Sequence, residues 1–321
     1  MSSSFSRPLV SVIIVSWNAR DYLSKCLESL TAEVCSYPME IIVVDNASTD
    51  GSPECVEKNF PRVRLIRNAE NLGFAKANNI GISAGNGQYF CLVNSDVVVM
   101  KDCITRLLDY CESHADVGMV GPRVIGGDGK VQRSCRGFPS VWNMFSRALA
   151  LDTMFPKSKL FCGFTISYWA QDSIRPVDIL SGCFWLIRQR ALSEVSLLDE
   201  SFFMYGEDMD WCRRFWDKGW KLVFVPEAQA IHYGGASSAN APVRFYIERH
   251  RADLLYWKKH HSRFAVACYF MVTCLHLSLR AAGYALAQCF AAKSSEVCRL
   301  KLNQSVACLK WMFTNLAFGK N

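Results

Sequence analysis

The sequence predicts an α/β fold with a mainly parallel central sheet flanked by helices. Apolar, β-branched runs alternate with amphipathic segments along the first third of the chain, and polar residues follow each apolar run. With 321 residues and 50% hydrophobic content, the chain can build a large core, which excludes a disordered protein. We therefore expect one large α/β domain, with room for an appendage.

The alternation starts with a buried strand at residues 9–15 and a helix whose apolar face carries Tyr22, Leu23, Cys26, Leu27 and Leu30. The pattern then predicts strands at 40–44, 63–67 and 89–93 and helices at 74–84 and 102–113. It weakens over residues 126–175, where a long irregular excursion is expected. Further on it predicts a strand at 177–188, a helix at 189–195, a helix ending at residue 218 and a strand at 222–225.

Three predicted strands end in polar residues. These are Ser16-Trp17-Asn18, Asp45-Asn46-Ala47-Ser48 and Asn94-Ser95-Asp96. Because ligands bind beyond the carboxyl ends of parallel strands, the three ends together favour a binding site. Any one of them could equally be an ordinary turn.

The stretch "FFMYGEDMDWCRR" at residues 202–214 groups Glu207, Asp208 and Asp210 just after an aromatic run. Acidic residues favour the first turn of a helix, and Arg213 and Arg214 follow one turn later. This segment is therefore either a helix start or a site of chemistry, and its own residues do not decide between the two.

The basic excess of the chain is confined to its C-terminal part. Residues 244–321 hold 12 Lys/Arg against 3 Asp/Glu. Because the net charge of the whole chain is +7, residues 1–243 carry a net charge of about −2. Two uncharged runs, 264–279 and 281–292, flank Arg280, and Thr273, His276, Arg280, Tyr284 and Gln288 share one helical face. With the basic and aromatic residues at 256–263 and a second basic amphipathic segment at about 293–316, this pattern predicts a region lying in the membrane interface. The alternative is a docked helical subdomain or a dimer interface, whereas nucleic-acid binding is disfavoured because the charge accompanies long apolar stretches.

The cysteines indicate a reducing compartment. Fifteen cysteines are scattered through apolar runs without any CxxC pair, so buried reduced thiols in the cytosol are expected rather than disulfides or structural zinc. The N-terminal segment has no basic start and long apolar core, so we interpret it as leading into a strand and not as a signal peptide.

At this point six motifs, taken in order, resemble those of family 2 glycosyltransferases of the GT-A fold, particularly the rhamnosyltransferase-like branch. They are "VSVIIVSWN", "IIVVDNASTDGS", "NLGFAKANNIGI", "LVNSDVVV", "LLDESFFMYGEDMDWCRR" and "IHYGGASS". The resemblance covers about residues 8–240. It implies a GT-A catalytic domain at residues 1–243 and a helical, membrane-associating region at 244–321.

The resemblance also assigns roles to residues. It places the nucleotide sugar against Ser16, Asn18, Asp45, Asn46, Ser48, Gly73, Phe74, Asn94 and Asp96. Asp96 matches the last acidic residue of a DXD-type metal motif, although Ser95 stands where the branch commonly has proline. His232 matches a histidine that completes the metal site in some relatives, and the resulting oxygen and imidazole ligands suit Mn²⁺ or Mg²⁺.

For the acidic turn, the resemblance implies a general base. Asp208 would deprotonate the acceptor hydroxyl, and Glu207 would orient the acceptor or the base and raise its pKa. Asp210 is expected to cap the helix or to face solvent. One in-line displacement would invert the anomeric carbon.

The expected function is transfer of a sugar, with rhamnose as a candidate, from a dTDP-, UDP- or GDP-sugar to a saccharide acceptor, expected to be lipid-linked, at the cytoplasmic membrane face. This activity belongs to cell-surface polysaccharide synthesis. The sequence is compatible with a monomer or a homo-oligomer. A nucleotidylyltransferase is disfavoured because "SWNARDY" has no Gly-rich phosphate loop. The remaining alternative is a non-catalytic, membrane-associated nucleotide- or glycan-binding protein.

Overall fold

The computed structural model describes residues 9–32, 37–234, 241–290 and 295–317. Its strands are β1 (Val10–Ser16), β2 (Met39–Asp45), β3 (Arg64–Arg67), β4 (Tyr89–Asn94), β5 (Val97–Val99), β6 (Val117–Gly126), β7 (Val131–Gln132), β8 (Cys135–Arg136), β9 (Arg175–Pro176), β10 (Ile179–Leu180), β11 (Phe184–Arg188) and β12 (Lys221–His232). Its helices are α1 (Arg20–Ala32), α2 (Ser52–Asn59), α3 (Phe74–Ala84), α4 (Cys103–Ser113), α5 (Val141–Ala148), α6 (Leu151–Met154), α7 (Gln189–Val195), α8 (Glu207–Asp217), α9 (Pro242–His260), α10 (Arg263–Phe290) and α11 (Ser295–Ala317).

The main sheet has the strand order β3-β2-β1-β4-β11-β6-β12-β5. The first four strands are parallel, β11 runs antiparallel between β4 and β6, and β6 and β12 are again parallel. β5 is antiparallel to β12 at the far edge. The predicted α/β fold with a mainly parallel sheet and flanking helices is confirmed.

Sequence periodicity located the first half of this sheet because those strands and helices are buried in the expected way. Val12 and Ile14 of β1 are fully buried, and α1 buries Leu23, Cys26, Leu27 and Leu30. Tyr22, predicted on the same apolar face, is only half-buried and its ring packs against that of Tyr233. The predicted helix 74–84 coincides with α3.

Three elements differ from the predictions. The loop expected after β2 contains the helix α2, which begins with Ser52 and Pro53 after a left-handed Gly51. β6 is a ten-residue, mostly buried strand that the pattern did not predict, because its glycines and its proline interrupt the apolar run. β12 extends beyond the predicted 222–225 to His232, and a register shift between Val225 and Gln229 lets it continue.

The expected irregular excursion at 126–175 contains both strands and helices. β7 adds to β6, β8 forms a small two-stranded sheet with β10, and Phe138–Trp169 carries α5 and α6. The predicted strand 177–188 is split into β10 and β11 by Ser181, Gly182 and Cys183.

The chain divides into two compact units. The first comprises Met1–Gly137 and Ala170–Ser237, and the second comprises Phe138–Trp169 and Ser238–Asn321. The second unit therefore begins inside the excursion and does not start only at residue 244. It holds 15 Lys/Arg against 4 Asp/Glu, so it carries the basic excess of the molecule.

In the second unit α10 packs against α5, α9 and α11. The face of α10 that carries the polar residues is turned inward: Thr273 and Leu277 on that side are buried. The opposite face carries an exposed apolar stripe of Phe264, Met271, Leu275, Leu279 and Leu286, which are 40–79% exposed. Residues Arg263–Gln288 are long and apolar enough to cross a membrane by length and composition. The amphipathic segment predicted from residue 293 begins outside the described residues, and α11 starts at Ser295.

The thirteen cysteines whose side chains the structure describes are free, and most of them are buried. This agrees with the expectation of buried thiols.

Candidate active site

The polar ends of β1, β2 and β4 are neighbours at one edge of the sheet. In the parallel pairing of β1 with β2, Ser16 lies opposite Asp45. In the parallel pairing of β1 with β4, Val15 lies opposite Asn94. The backbone N–H of Asn46 donates to the carbonyl of Ser16 at 2.8 Å, which ties the two ends together. The predicted strand-end residues are thus brought together by the fold.

A network of hydrogen bonds fixes the loops beyond these strands. Asn18 adopts a left-handed conformation (φ 49°), its N–H donates to Ser48 Oγ at 2.9 Å, and the Ser48 N–H donates to Asp45 Oδ2 at 2.9 Å. Asn46 Nδ2 donates to the carbonyl of Gly73 at 3.1 Å. These turns are pre-ordered, which reduces the entropy that a ligand must overcome on binding.

Two buried polar atoms at this edge have no hydrogen-bond partner among the described residues: Ser16 Oγ and Asp45 Oδ1. A buried polar atom without a partner is costly in a folded protein. Both atoms lie at the carboxyl ends of parallel strands, where a ligand's N–H or hydroxyl would satisfy them. A nucleoside offers both kinds of donor in its base and ribose.

Gly73 and Phe74 connect this edge to the acidic turn. Gly73 has φ 82°, and a Cβ there would meet the carbonyl oxygen of Phe203 at 2.5 Å. The N–H of Phe74 donates to that same carbonyl at 2.8 Å. Only glycine permits this close approach of α3 to the loop that precedes Glu207.

Asp96 and His232 meet across the end of the sheet. His232 is opposite Val97 in the β12–β5 pairing, and its Nε2 lies 3.2 Å from Asp96 Oδ1. Gln132, which sequence reasoning missed, holds the imidazole: its Nε2 donates to the carbonyl of His232 at 2.8 Å, and its Oε1 lies 2.9 Å from His232 Nδ1. Because a backbone carbonyl only accepts, the amide nitrogen must face it, so Oε1 faces the ring and Nδ1 carries a proton.

These contacts fit a divalent cation. With one proton fixed at Nδ1, a neutral ring turns its Nε2 lone pair toward Asp96 Oδ1, and a divalent cation between these two atoms would be bound by both, whereas a protonated ring would donate to Asp96 directly. Neighbouring ligands at right angles, each about 2.1 Å from one ion, are about 3 Å apart, which is close to the observed separation. The described residues bring no third His, Cys, Asp or Glu to this point, so further ligands would come from a bound diphosphate and water.

The acidic turn starts α8. Tyr205 (φ 67°) and Gly206 (φ 77°) are both left-handed, and this pair of residues turns the chain so that Glu207 and Asp208 enter the protein, where they are 7% and 8% exposed. The segment is a helix start, as the first interpretation held, but its carboxylates are buried instead of solvated.

Asp208 is held at both oxygens. Its Oδ1 accepts from the N–H of Met209 at 2.8 Å, and its Oδ2 pairs with Arg136 from β8. Arg136 was not predicted, because it lies in the irregular excursion and belongs to no motif. An ion pair with arginine and a helix N-terminus both favour the carboxylate form.

Glu207 is protonated at neutral pH. Burial and the neighbouring Asp208 charge raise its pKa to about 8, and its Oε2 has no hydrogen-bond partner among the described residues. The turn therefore holds one carboxylate and one carboxylic acid at neutral pH. This division of roles is typical of sites that handle protons.

One expectation for this segment is wrong. Asp210 neither caps the helix through its side chain nor faces solvent: it is fully buried and pairs with Arg214 at 2.9 Å, one turn along α8. The i,i+4 spacing of Asp210 and Arg214 was the available signal for this correction. The next residue, Trp211, is a core residue whose ring packs against Trp185 at 5.4 Å.

Cys183 relates the two carboxylate sites to each other. Its thiol is buried, and burial is the largest cause that raises its pKa to about 12, with additions from the charges of Asp96 and Asp208. The thiol is therefore protonated and close to both carboxylates. The strand-end site and the acidic turn belong to one region of the first unit.

The fold and this region define a nucleotide-sugar-dependent glycosyltransferase. The family model for glycosyl transferase family 2 matches residues 11–195, and the chain belongs to this family. Its relatives include the N-acetylglucosaminyl-diphospho-decaprenol L-rhamnosyltransferase of Mycobacterium tuberculosis (strain CDC 1551 / Oshkosh), 30% identical over 79% of this chain and 85% of that protein. Rhamnosyltransferase WbbL of Escherichia coli (strain K12) is 28% identical over 70% of this chain and 83% of that protein.

Among solved structures, the mannosyltransferase PcManGT from Pyrobaculum calidifontis, in complex with GDP-Man and Mn²⁺, has a TM-score of 0.57. It is 16% identical, and the superposition covers 98% of this chain and 88% of that one. This likeness confirms the GT-A type fold.

Proposed function

We propose that this glycosyltransferase is inverting and metal-dependent, and that it moves a sugar, with L-rhamnose as the first candidate, onto a lipid-linked saccharide at the cytoplasmic face of a membrane. The reaction would serve cell-wall or surface polysaccharide synthesis. Support for the sugar and the lipid comes from the similarity to the two rhamnosyltransferases, one of which is named for a diphospho-decaprenol acceptor.

One observation carries the mechanism: residues Gly182 and Cys183 lie beside both carboxylate sites, because the N–H of Asn94 donates to the Cys183 carbonyl at 3.0 Å and a Cβ on Gly182 would lie 3.8 Å from the Cβ of Asp208. A donor diphosphate held at Asp96 would place its sugar toward the acidic turn, where a base is needed. Asp96 and His232 are the residues that would hold a divalent cation, which would neutralise the charge of the departing diphosphate. Ser16, Asn18, Asp45, Asn46, Ser48, Gly73, Phe74 and Asn94 would position the nucleoside.

Asp208 is the proposed general base. Asp208 pairs with Arg136, whereas burial and the Asp208 charge raise the pKa of Glu207 to about 8, so Glu207 can only donate a hydrogen bond until it loses its proton. The acceptor hydroxyl transfers its proton to Asp208 as its oxygen attacks the anomeric carbon and the bond to the diphosphate breaks. Attack opposite the leaving group inverts that carbon.

The second unit is proposed to associate with the membrane through the apolar stripe of α10. Five large apolar side chains spaced by seven, four, four and seven residues form one exposed face of this helix. A surface of this kind, on a strongly basic unit, fits an anionic lipid surface.

The first test measures nucleoside diphosphate release from dTDP-, UDP- and GDP-sugars with Mn²⁺, Mg²⁺ or EDTA, using detergent-solubilised protein and lipid extract as the acceptor. We expect metal-dependent release with one donor and a product of inverted anomeric configuration by NMR. A product that retains the configuration contradicts the proposed mechanism.

Asp208→Asn is expected to lower transfer by about 10²- to 10⁴-fold while donor binding persists. Glu207→Gln, which mimics the protonated acid, is expected to keep most of the activity. Asp217→Asn, the same chemical change at the other end of α8, is the matched control. Unchanged sugar transfer in Asp208→Asn contradicts the assignment of Asp208 as the general base. Nucleotide binding without turnover in the wild type favours a non-catalytic binding protein.

A further inference from the structure

The second unit contains a cluster of three arginines and two histidines that the proposed catalytic mechanism does not use. Arg280 and His276 lie one turn apart on α10, His250 and Arg249 lie on α9, and Arg147 lies at the end of α5. His276 donates a hydrogen bond to the carbonyl of Ala148, beside Arg147, and Arg147, Arg280 and His250 are all close enough to act on its charge. We call these five residues the basic cluster.

Arg280 is held in place by aromatic rings. Its guanidinium carbon lies 5.8 Å from the ring centre of Tyr246 and 5.1 Å from that of Tyr284, so the side chain is fixed between α9 and its own helix. Its Nε is buried and has no hydrogen-bond partner in the described ranges. Stacking orients a guanidinium without satisfying its in-plane N–H donors, and those donors are the ones that bind phosphate oxygens.

The histidines of the basic cluster are oriented as well. His250 Nδ1 lies 3.0 Å from the carbonyl of Tyr246, so that nitrogen carries the proton and the other one is left for a different partner. Burial lowers the pKa of His250, and the charges of Arg249 and Arg147 lower it further, against the opposing effect of Asp253. The cluster thus has a surplus of positive charge, with Asp253 as a carboxylate that reduces it.

The location of the basic cluster indicates which anion it would meet. His276 and Arg280 are on the inward face of α10, and the apolar stripe is on the opposite face of the same helix. Both features belong to the same unit: the apolar stripe would bring this unit to a lipid surface, and the basic cluster would then lie close to phosphate groups carried by lipids.

We infer that the basic cluster is a binding site for the phosphate or diphosphate group of a lipid-linked acceptor. The identity of the acceptor rests on the proposed function, whereas binding of a phosphate group does not. The same chemistry would also recognise free pyrophosphate, so the two sources must be separated by experiment.

The test measures binding of the full-length, detergent-solubilised protein to two probes, both with EDTA present to remove metal from the first unit. One probe is pyrophosphate, by calorimetry, and the other is farnesyl diphosphate in phosphatidylcholine vesicles, by flotation. We expect Arg280→Gln and Arg147→Gln each to weaken binding by about tenfold or more, whereas Arg299→Gln, the same change on α11, leaves it unchanged. Arg147 is exposed, so its substitution keeps the test valid if Arg280→Gln lowers the Tm.

Binding of both probes with this pattern supports the inference for any phosphate source, and binding of the lipid probe alone assigns the site to a lipid-carried group. Equal binding by all variants, or none by the wild type, overturns it. Nucleotide binding with metal, measured on the same variants, separates this outcome from the proposed function. If phosphate binding is absent while nucleotide binding is intact, only the inference about the basic cluster is contradicted. If sugar transfer fails while phosphate binding is intact, only the proposed function is contradicted.

Discussion

Gln132 shows how one uncharged side chain can orient a histidine that is proposed to hold a metal ion. It contacts both the carbonyl and Nδ1 of His232, and this pair of contacts fixes the ring orientation and a proton at Nδ1, so that Nε2 faces Asp96. Without Gln132, the imidazole could rotate away from Asp96. Gln132 would therefore be a positioning residue for the proposed cation.

Gln132→Leu is expected to weaken Mn²⁺ binding by about 10- to 100-fold, because loss of an outer-shell partner costs that much in metal sites. Gln132→Glu retains an acceptor for Nδ1–H and should restore most of the affinity. Calorimetric titration of Mn²⁺, with a nucleoside diphosphate present, measures both. If the two variants bind Mn²⁺ as the wild type does, His232 does not depend on this contact.

Glu207 predicts a pH dependence of stability. Its pKa is raised from an ordinary 4.5 to about 8 in the folded protein. Between these values the unfolded chain loses a proton that the folded chain keeps, so this group's contribution to stability is complete below about pH 4.5 and is lost as the pH rises through about 8.

Glu207→Gln removes this titration. The Tm of the variant relative to the wild type should therefore rise from pH 5 to pH 8.5, as measured by differential scanning fluorimetry. Glu227→Gln, at an exposed position of β12, serves as the control with no expected trend. A constant Tm difference across the range would mean that Glu207 titrates normally.

At the scale of elements, Gly73 links the nucleotide side of the site to the acidic turn. A methyl group at this position would collide with the Phe203 carbonyl, and the turn carrying Glu207 and Asp208 would have to shift. Since displacements of about 1 Å can cost about 10²-fold in rate, the effect should reach catalysis.

Gly73→Ala is expected to lower kcat and stability together, whereas Gly219→Ala should lower only stability. Both glycines have φ 82°, so both substitutions strain the backbone, more strongly at Gly73 because its ψ of −178° is a conformation that essentially only glycine adopts, and nothing lies within 4 Å of the Cβ position at residue 219. Initial rates and urea unfolding of the two variants measure the difference. Equal kcat values would show that the contact between α3 and the turn does not affect the chemistry.

Part of the arrangement of strands and site residues could be predicted from the sequence. β1, β2 and β4 and the polar residues after them follow simple periodicity, so their place at one sheet edge could be expected. Arg136 and Gln132 could not, because they come from two-residue strands whose pairing is decided by tertiary contacts with β10 and β6. The burial of Asp210 was missed for a similar reason: its environment is set by packing around α8 and not by local pattern.

The face of α10 that packs against other helices could not be predicted from the sequence either. A wheel of the helix separates polar from apolar residues correctly, but it does not tell which face meets other helices. In the structure α5 and α9 cover the polar face, and the apolar stripe is left outside.

For the whole molecule, membrane association should depend on that stripe. Leu275→Glu combined with Leu279→Glu is expected to reduce flotation with phosphatidylglycerol vesicles, because each change places a charge on the proposed lipid-contacting face. Leu160→Glu, an exposed leucine of the second unit outside α10, is the matched control. Unchanged flotation of the double variant would assign membrane binding, if any, to another surface.

The division of the chain into units has a practical consequence for dissecting the protein. The second unit is an insertion at 138–169 completed by the C-terminal residues, so the polypeptide crosses between the units three times. A truncation at residue 243 would remove α10 but leave α5, which packs against it, without its partner. Such a fragment would be prone to aggregation, and a soluble catalytic core would require excision of 138–169 with a short linker joining Gly137 to Ala170, in addition to the C-terminal deletion.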